Sequence, residues 1–154
     1  MAEVKVKNVV TLRLEASCPS HARTDVLVRD MELTIDEPVE RGGTNLGPSP
    51  TETMLGALAG CTNVIAHKCA AKNGVTFQGF YVEIKSSFDR RGVTLQDEID
   101  VPFENIDVII DVITDADDAS MDLVKSDLTK YCPVSKVFRQ AGSNVTEVWN
   151  ITKA

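Results

Sequence analysis

Long apolar runs, clustered basic residues and paired metal-ligand spacings are all missing from this sequence, and each gap removes a class of function. No uninterrupted apolar stretch reaches the roughly 20 residues that a membrane-spanning helix needs, so no membrane association is expected. Lys and Arg number 16 against 23 Asp and Glu, a formal net charge of -7. A phosphate backbone finds no basic footprint here, and nucleic acid is not expected as a partner. Only two histidines occur, His21 and His67, and no C-x-x-C or H-x-x-x-H spacing joins them to the cysteines. No metal site is expected from such spacing. The opening stretch MAEVKVKNVVTLRLEAS interleaves charges with apolar residues and lacks the apolar core of a secretory leader. A cytoplasmic protein is therefore expected, in which the 4 cysteines stay as free thiols or form a transient catalytic pair. Internal repeats and low-complexity segments are absent too. The 154 residues, 43% hydrophobic and 25% charged, suit one domain spanning 1–154.

What is present is periodic. VTLRLEA alternates Val10, Leu12 and Leu14 with polar neighbours, the pattern of a half-buried strand, and Asn8-Val9 breaks its phase as a bulge would. RTDVLVRDMELTIDEP predicts two further short strands, with Met31, Leu33 and Ile35 on one face. ERGGTNLGPSP is a turn-rich connector. The stretch SPTETMLGALAGCTNVIAHKCAAKNG then predicts one long helix over 49–74. Ser49 is its N-cap, Pro50 suits the first turn, and Glu52 is the acid of a capping box. Met54, Leu58, Cys61, Ile65 and Cys69 fall on one stripe, and Asn73-Gly74 is the stop signal. TFQGFYVEIKSSFDR and FENIDVIIDVIT predict two longer strands, DADDASMDLVKSDLTKY a helix with Met121, Val124 and Leu128 inward, CPVSKVFRQAG a short helix, and NVTEVWNIT a closing strand. The order β-β-β-α-β-β-α-α-β implies an α+β fold, an antiparallel-rich sheet covered by a long helix.

The thiols carry the chemistry, if any is carried. A thiol acts as nucleophile or redox group only as thiolate, and a free cysteine with a pKa near about 8.5 is mostly protonated at neutral pH. Cys132 stands at a predicted helix N-terminus, whose dipole and free N–H groups favour an anion by roughly 0.3–2 kcal/mol. Cys61, in mid-helix, has no such local source, so chemistry there demands a cation brought from elsewhere in the fold. Core packing is the ordinary role for Cys61 taken alone, and for Cys69 two turns along the same stripe. Cys18, in SCPSHA, reads as a loop thiol without a role. CPVS has the C-x-x-S form of some thiol–disulfide sites, with Ser135 as the second residue, but it follows a helix rather than a strand.

One run of residues narrows these alternatives. DEP…GGTNLGPSPTETMLGALAGCTNV, followed at a distance by YCPVSKVFRQAG, resembles the OsmC/Ohr superfamily, and within it the OsmC-like branch. The resemblance covers nearly the whole chain, and it implies an OsmC-like fold whose two subunits intertwine as a homodimer with active sites at their interface. It implies a cofactor-independent, thiol-dependent peroxidase acting on organic hydroperoxides. Cys61 then stands where the family's peroxide-attacking cysteine stands, and Cys132 where the second cysteine condenses with the resulting sulfenic acid. An external dithiol reductant, of lipoyl or thioredoxin type, would reduce that disulfide. An arginine from the early strands supplies the missing cation in this family, and a glutamate at the start of the long helix assists. Arg23 comes nearest in spacing, with Arg29 and Arg41 as alternatives. In the family's peroxidases the glutamate lies ten residues before the reactive cysteine, where this chain has Thr51. Glu52 is one residue nearer, about 100° around the helix, as is usual in the OsmC-like branch. Capping and a site role are both open to Glu52.

The apolar neighbours Met54, Leu58 and Ile65 are the expected substrate-binding residues, suited to alkyl or lipid hydroperoxides. Two other readings compete. One is a non-enzymatic dimer that binds an apolar small molecule in its interface cleft, with the cysteines as packing. The other is a thiol–disulfide exchange protein that uses Cys132 with Ser135.

Overall fold

The structure is a computed structural model that describes residues 8–154. Residues 1–7, part of the opening stretch read above as unlike a leader, lie outside the described residues. The chain divides after Thr53 into two compact units.

In the first unit, β1 (Glu15–Ser17), β2 (Thr24–Val28) and β3 (Met31–Ile35) form an antiparallel sheet in that order. Pairing sets Ala16, Val26 and Leu33 side by side, so Val28, Met31 and Ile35 share their face. That face remains open, with Met31 and Leu33 both exposed. The strand expected from Val10 forms only from Glu15, and the bulge expected at Asn8-Val9 does not form. Val10, Leu12 and Leu14 instead lie outside any strand and exposed, because pairing with β2 runs out at Glu15 opposite Leu27.

The DEP and glycine elements of the motif have a shared physical cause. Asp36 is fully buried, and its carboxylate accepts from the N–H groups of Glu37 (2.9 Å), Thr44 (3.0 Å) and Leu46 (3.2 Å) and from the Thr44 hydroxyl (2.6 Å). The connector therefore folds back around one carboxylate. A Cβ at Gly43 would come to 1.8 Å of the Glu37 carbonyl oxygen, and one at Gly47 to 2.1 Å of that of Thr34. Only glycine fits these two approaches.

Helix α1 (Pro50–Lys72) is 23 residues long and opens on the expected capping box. The second unit continues as β4 (Gly79–Ser86), β5 (Asn105–Ile113), α2 (Asp118–Tyr131), α3 (Pro133–Gln140) and β6 (Asn144–Thr152). Its sheet runs β4-β5-β6, with β4 antiparallel and β6 parallel to the central β5. The expectation of one sheet is thus corrected to two three-stranded sheets, one antiparallel and one mixed, in which antiparallel pairing predominates as expected. β6 can run parallel because α2 and α3 intervene between it and β5.

Ile106, Val108, Ile110 and Val112 of β5 are all buried, while Asp107 and Asp111 face outward, as a period of two requires. Against them pack Leu58 and Ala66 of α1, Met121, Val124 and Leu128 of α2, and Phe138 of α3. Each large apolar side chain so buried contributes about 1.5–3 kcal/mol. The buried stripe of α1 is Leu58, Thr62, Ala66, Cys69 and Ala70. It is rotated from the expected one: Met54 is exposed, and the small residues Thr62, Ala66 and Ala70 join Leu58 and Cys69 on the buried side. Lys72 and Asn73 then reach Asp127 of α2 at 2.8 and 3.0 Å, fixing the end of α1.

Candidate active site

Cys61 and Cys132, 71 positions apart in sequence, come together within the second unit, where Cys61 packs against the buried cluster that contains Cys132, and both are free thiols. Cys61 comes from the middle of α1 and is half-buried. Cys132 comes from the joint between α2 and α3. Its N–H caps α2 by donating to Leu128 (3.0 Å), and its carbonyl accepts from Lys136 (3.1 Å) as α3 begins. The joint arises because Pro133 cannot continue α2 but suits the first turn of α3.

The electrostatics of Cys132 reverse the sequence expectation. The N–H groups of Ser135 and Val134, in the first turn of α3, pull its pKa down as a helix N-terminus should, although the sulfur makes no capping hydrogen bond. Burial outweighs them. Cys132 is fully enclosed, and desolvation, with Cys61 as a further cause, pushes the thiol up to about 11. Cys69 is likewise buried and raised, first by burial and then by Asp127, and sits in a separate packing cluster. Cys18 is exposed, its sulfur 3.9 Å from the Thr24 hydroxyl.

The remaining expected site residues are distributed as follows. Leu58, expected to bind substrate, is fully enclosed in the cluster that contains Cys132, so it packs. Ile65 is half-buried between the two clusters, and Met54 is exposed. Glu52 accepts from the N–H and the hydroxyl of Ser49 at 2.8 and 2.9 Å. The Ser49 N–H, then its hydroxyl, hold the Glu52 carboxyl below its ordinary pKa, with Arg41 as a smaller electrostatic cause. Arg23 pairs with Asp25 at 2.9 Å, Arg41 with Glu37 at 3.1 Å, and Arg29 is exposed at a positive φ of 57°. Among the described residues, no three His, Cys, Asp or Glu side chains cluster closely enough to hold a metal ion. No helix among them is long and apolar enough to cross a membrane.

A polar cluster beside Cys132 was not anticipated. Ser135 is buried, and its hydroxyl accepts from Arg139 Nε at 3.3 Å. Arg139 Nη2 reaches Glu147 of β6 at 3.3 Å, and the Thr129 hydroxyl of α2 donates to the same carboxylate at 3.2–3.3 Å. Burial raises the pKa of Glu147 against the pull of Thr129 and Arg139. The signal was legible: Glu147 occupies an inward position of a strand whose other inward residues, Val145, Trp149 and Ile151, are apolar.

The family model for OsmC-like protein matches residues 43–148. The chain belongs to the OsmC-like family. No curated protein matches the sequence. Among solved structures, an OsmC-like protein from Mycoplasma pneumoniae is similar at a TM-score of 0.73 and 14% identity, over 94% of this chain and 98% of that one. The organic hydroperoxide resistance protein OsmC from Legionella pneumophila gives 0.62 at 16% identity, over 95% and 99%. The organic hydroperoxide resistance protein OhrB of Bacillus subtilis gives 0.56 at 19% identity, over 93% and 98%. At these identities the likeness establishes the OsmC-like fold, and the chemistry rests on the residues described above.

Proposed function

We propose that this OsmC-like protein is a thiol-dependent peroxidase that reduces organic hydroperoxides. The meeting of two free thiols, one half-buried and one sealed, carries the reading. An oxidant arriving from solvent reaches the half-buried sulfur first. Cys61 thiolate attacks the terminal oxygen of ROOH, the O–O bond breaks, and Cys61–SOH and an alkoxide result, the latter leaving as alcohol after protonation. Cys132 then attacks the sulfenic sulfur, an S–S bond forms, and water leaves. An external dithiol, lipoyl-type or thioredoxin-type, returns both thiols and is itself oxidised to a disulfide. Arg23 is the candidate for the activating cation and Glu52 for the assisting acid, both by family resemblance. Met54 and Ile65, apolar and partly accessible, favour alkyl or lipid substrates over hydrogen peroxide. The open apolar face of β1-β2-β3 supports assembly as a homodimer, since an apolar patch of this kind marks an interaction surface.

Turnover of t-butyl hydroperoxide with reduced lipoamide tests the proposal. Cys61→Ser abolishes it, whereas Cys132→Ser leaves a trappable sulfenic acid at Cys61. Activity that survives Cys61→Ser would refute the assignment. The exchange reading with Cys132 as nucleophile fits less well, because that thiol is enclosed and strongly protonated at neutral pH.

A further inference from the structure

Cys132 holds two helices end to end, so the place of its sulfur depends on whatever fixes the angle between them. One carboxylate touches both. Glu147 accepts from Thr129, three residues before the joint, and from Arg139, seven residues after it. Arg139 in turn donates to the buried hydroxyl of Ser135, in the first turn of the helix that Cys132 opens. The chain of contacts runs from β6 through Arg139 to Ser135, three residues from the thiol. The pair is well shielded, with side-chain exposures of 34% for Arg139 and 11% for Glu147. Lys125 and Ser126 of α2 and Trp149 of β6 line the same small cleft, and β5 presents the apolar Val108 opposite Glu147. Trp149 Nε1 is buried there without a partner in hydrogen-bond geometry. A carboxylate on an inward sheet position, against a raised pKa, is an unfavourable choice for packing alone.

We propose that Glu147 and Arg139 are positioning residues that lock the α2–α3 joint and thereby hold Cys132 in bonding register with Cys61. Neither touches the reacting sulfurs. They act on the second chemical step and on the disulfide it makes, and leave the first step alone. The kinetic form of this inference rests on the peroxidase reading, but its equilibrium form does not.

The experiment uses the full chain with Glu147→Gln, Arg139→Ala and Arg139→Lys, each checked for a cooperative thermal transition. Equilibration in dithiothreitol redox buffers reads the Cys61–Cys132 disulfide directly. Arg139→Ala is expected to lower its formation constant at least tenfold, about 30 mV toward a more oxidising potential. Arg139→Lys, which keeps the charge on Glu147 but loses the second arm to Ser135, falls between. Glu147→Gln, nearly isosteric and able to keep the fold, lowers the constant in the same direction. In single turnover with t-butyl hydroperoxide, Cys61–SOH forms at the wild-type rate in every variant and condenses more slowly. An unchanged redox equilibrium in both Glu147→Gln and Arg139→Ala overturns the inference, as does an equal slowing of both steps. Failure to turn over peroxide, with the equilibrium shifted as stated, would count against the peroxidase reading and leave the positioning role standing.

Discussion

Condensation of Cys132 with oxidised Cys61 should have an unusual dependence on pH, and its size follows from burial. The Cys132 thiol is pushed up to about 11, whereas a free cysteine titrates near about 8.5. At pH 7 the thiolate fraction is then on the order of 1 in 10⁴, against roughly 3 in 100 for a free thiol. Such a deficit would be severe for a thiol in solution. Here the target sulfur is adjacent, and effective molarities for oriented neighbours reach about 10⁵–10⁸ M, which offsets it. Oxidation of Cys61 removes one of the smaller causes of the shift, but burial, the largest, remains. The rate of condensation should therefore climb about tenfold per pH unit from pH 6 to 9, without levelling near 8.5. Rapid mixing with a stoichiometric hydroperoxide, quenching into a sulfenic-acid trap and mass spectrometry of the Cys61 peptide read this step apart from the first. A plateau by pH 8.5, or a rate indifferent to pH, would refute the argument from burial.

Glu52 can be divided into its two roles by two substitutions. Glu52→Ala, which removes the acid of the capping box, should cost about 0.5–2 kcal/mol in thermal or denaturant unfolding, and Glu52→Gln should cost little because an amide oxygen still accepts from Ser49. If Glu52→Gln keeps stability yet loses peroxide turnover, the acid has a site role; if turnover is intact, capping is its whole task. Leu58→Ala should destabilise by about 2–5 kcal/mol, whereas Met54→Ala should leave stability within about 0.5 kcal/mol and raise KM for long-chain hydroperoxides. Asp36, Glu52, Asp117 and Asp127 are all held below their ordinary pKa, chiefly by Thr44, Ser49, Ser120 and Lys72 respectively. Their contribution to folding is complete above about pH 4 and is lost as pH falls through the folded values, so the thermal midpoint should drop below about pH 4. Glu147, with its pKa raised, works in the opposite sense, favouring the fold when protonated, and Glu147→Gln should flatten that opposing slope.

Most of the element order was legible because local signals agreed with tertiary ones. The β5 alternation, the Ser49–Glu52 capping box and the Met121, Val124, Leu128 stripe each stood in the chain as they stand in the fold. The first strand misled because alternation reports a face that could be buried, not one that is: Val10, Leu12 and Leu14 precede the first pairing with β2 and stay exposed. The α1 stripe was read a fraction of a turn off. Thr62, Ala66 and Ala70 are too small to register as apolar landmarks, yet they are residues the helix buries. Parallel pairing of β6 was invisible for a different reason. Strand direction depends on the path of α2 and α3, and no local pattern encodes it.

The same limit governs the site. Local chemistry made Cys132 the better anion, since it heads a helix and Cys61 does not. The fold keeps those N–H donors and still moves the thiol the other way, because desolvation is a property of everything packed around it. The consequence is an order of events. A sealed, protonated thiol cannot be the first to meet an oxidant from solvent, but it is well placed to wait for a partner that has already been oxidised beside it. In the proposed reaction, division of labour between Cys61 and Cys132 follows from unequal burial of the two sulfurs rather than from the helix terminus. Its sharpest discriminator is which thiol a limiting alkylating reagent labels: Cys61 first, with Cys132 labelled appreciably only once the fold is opened.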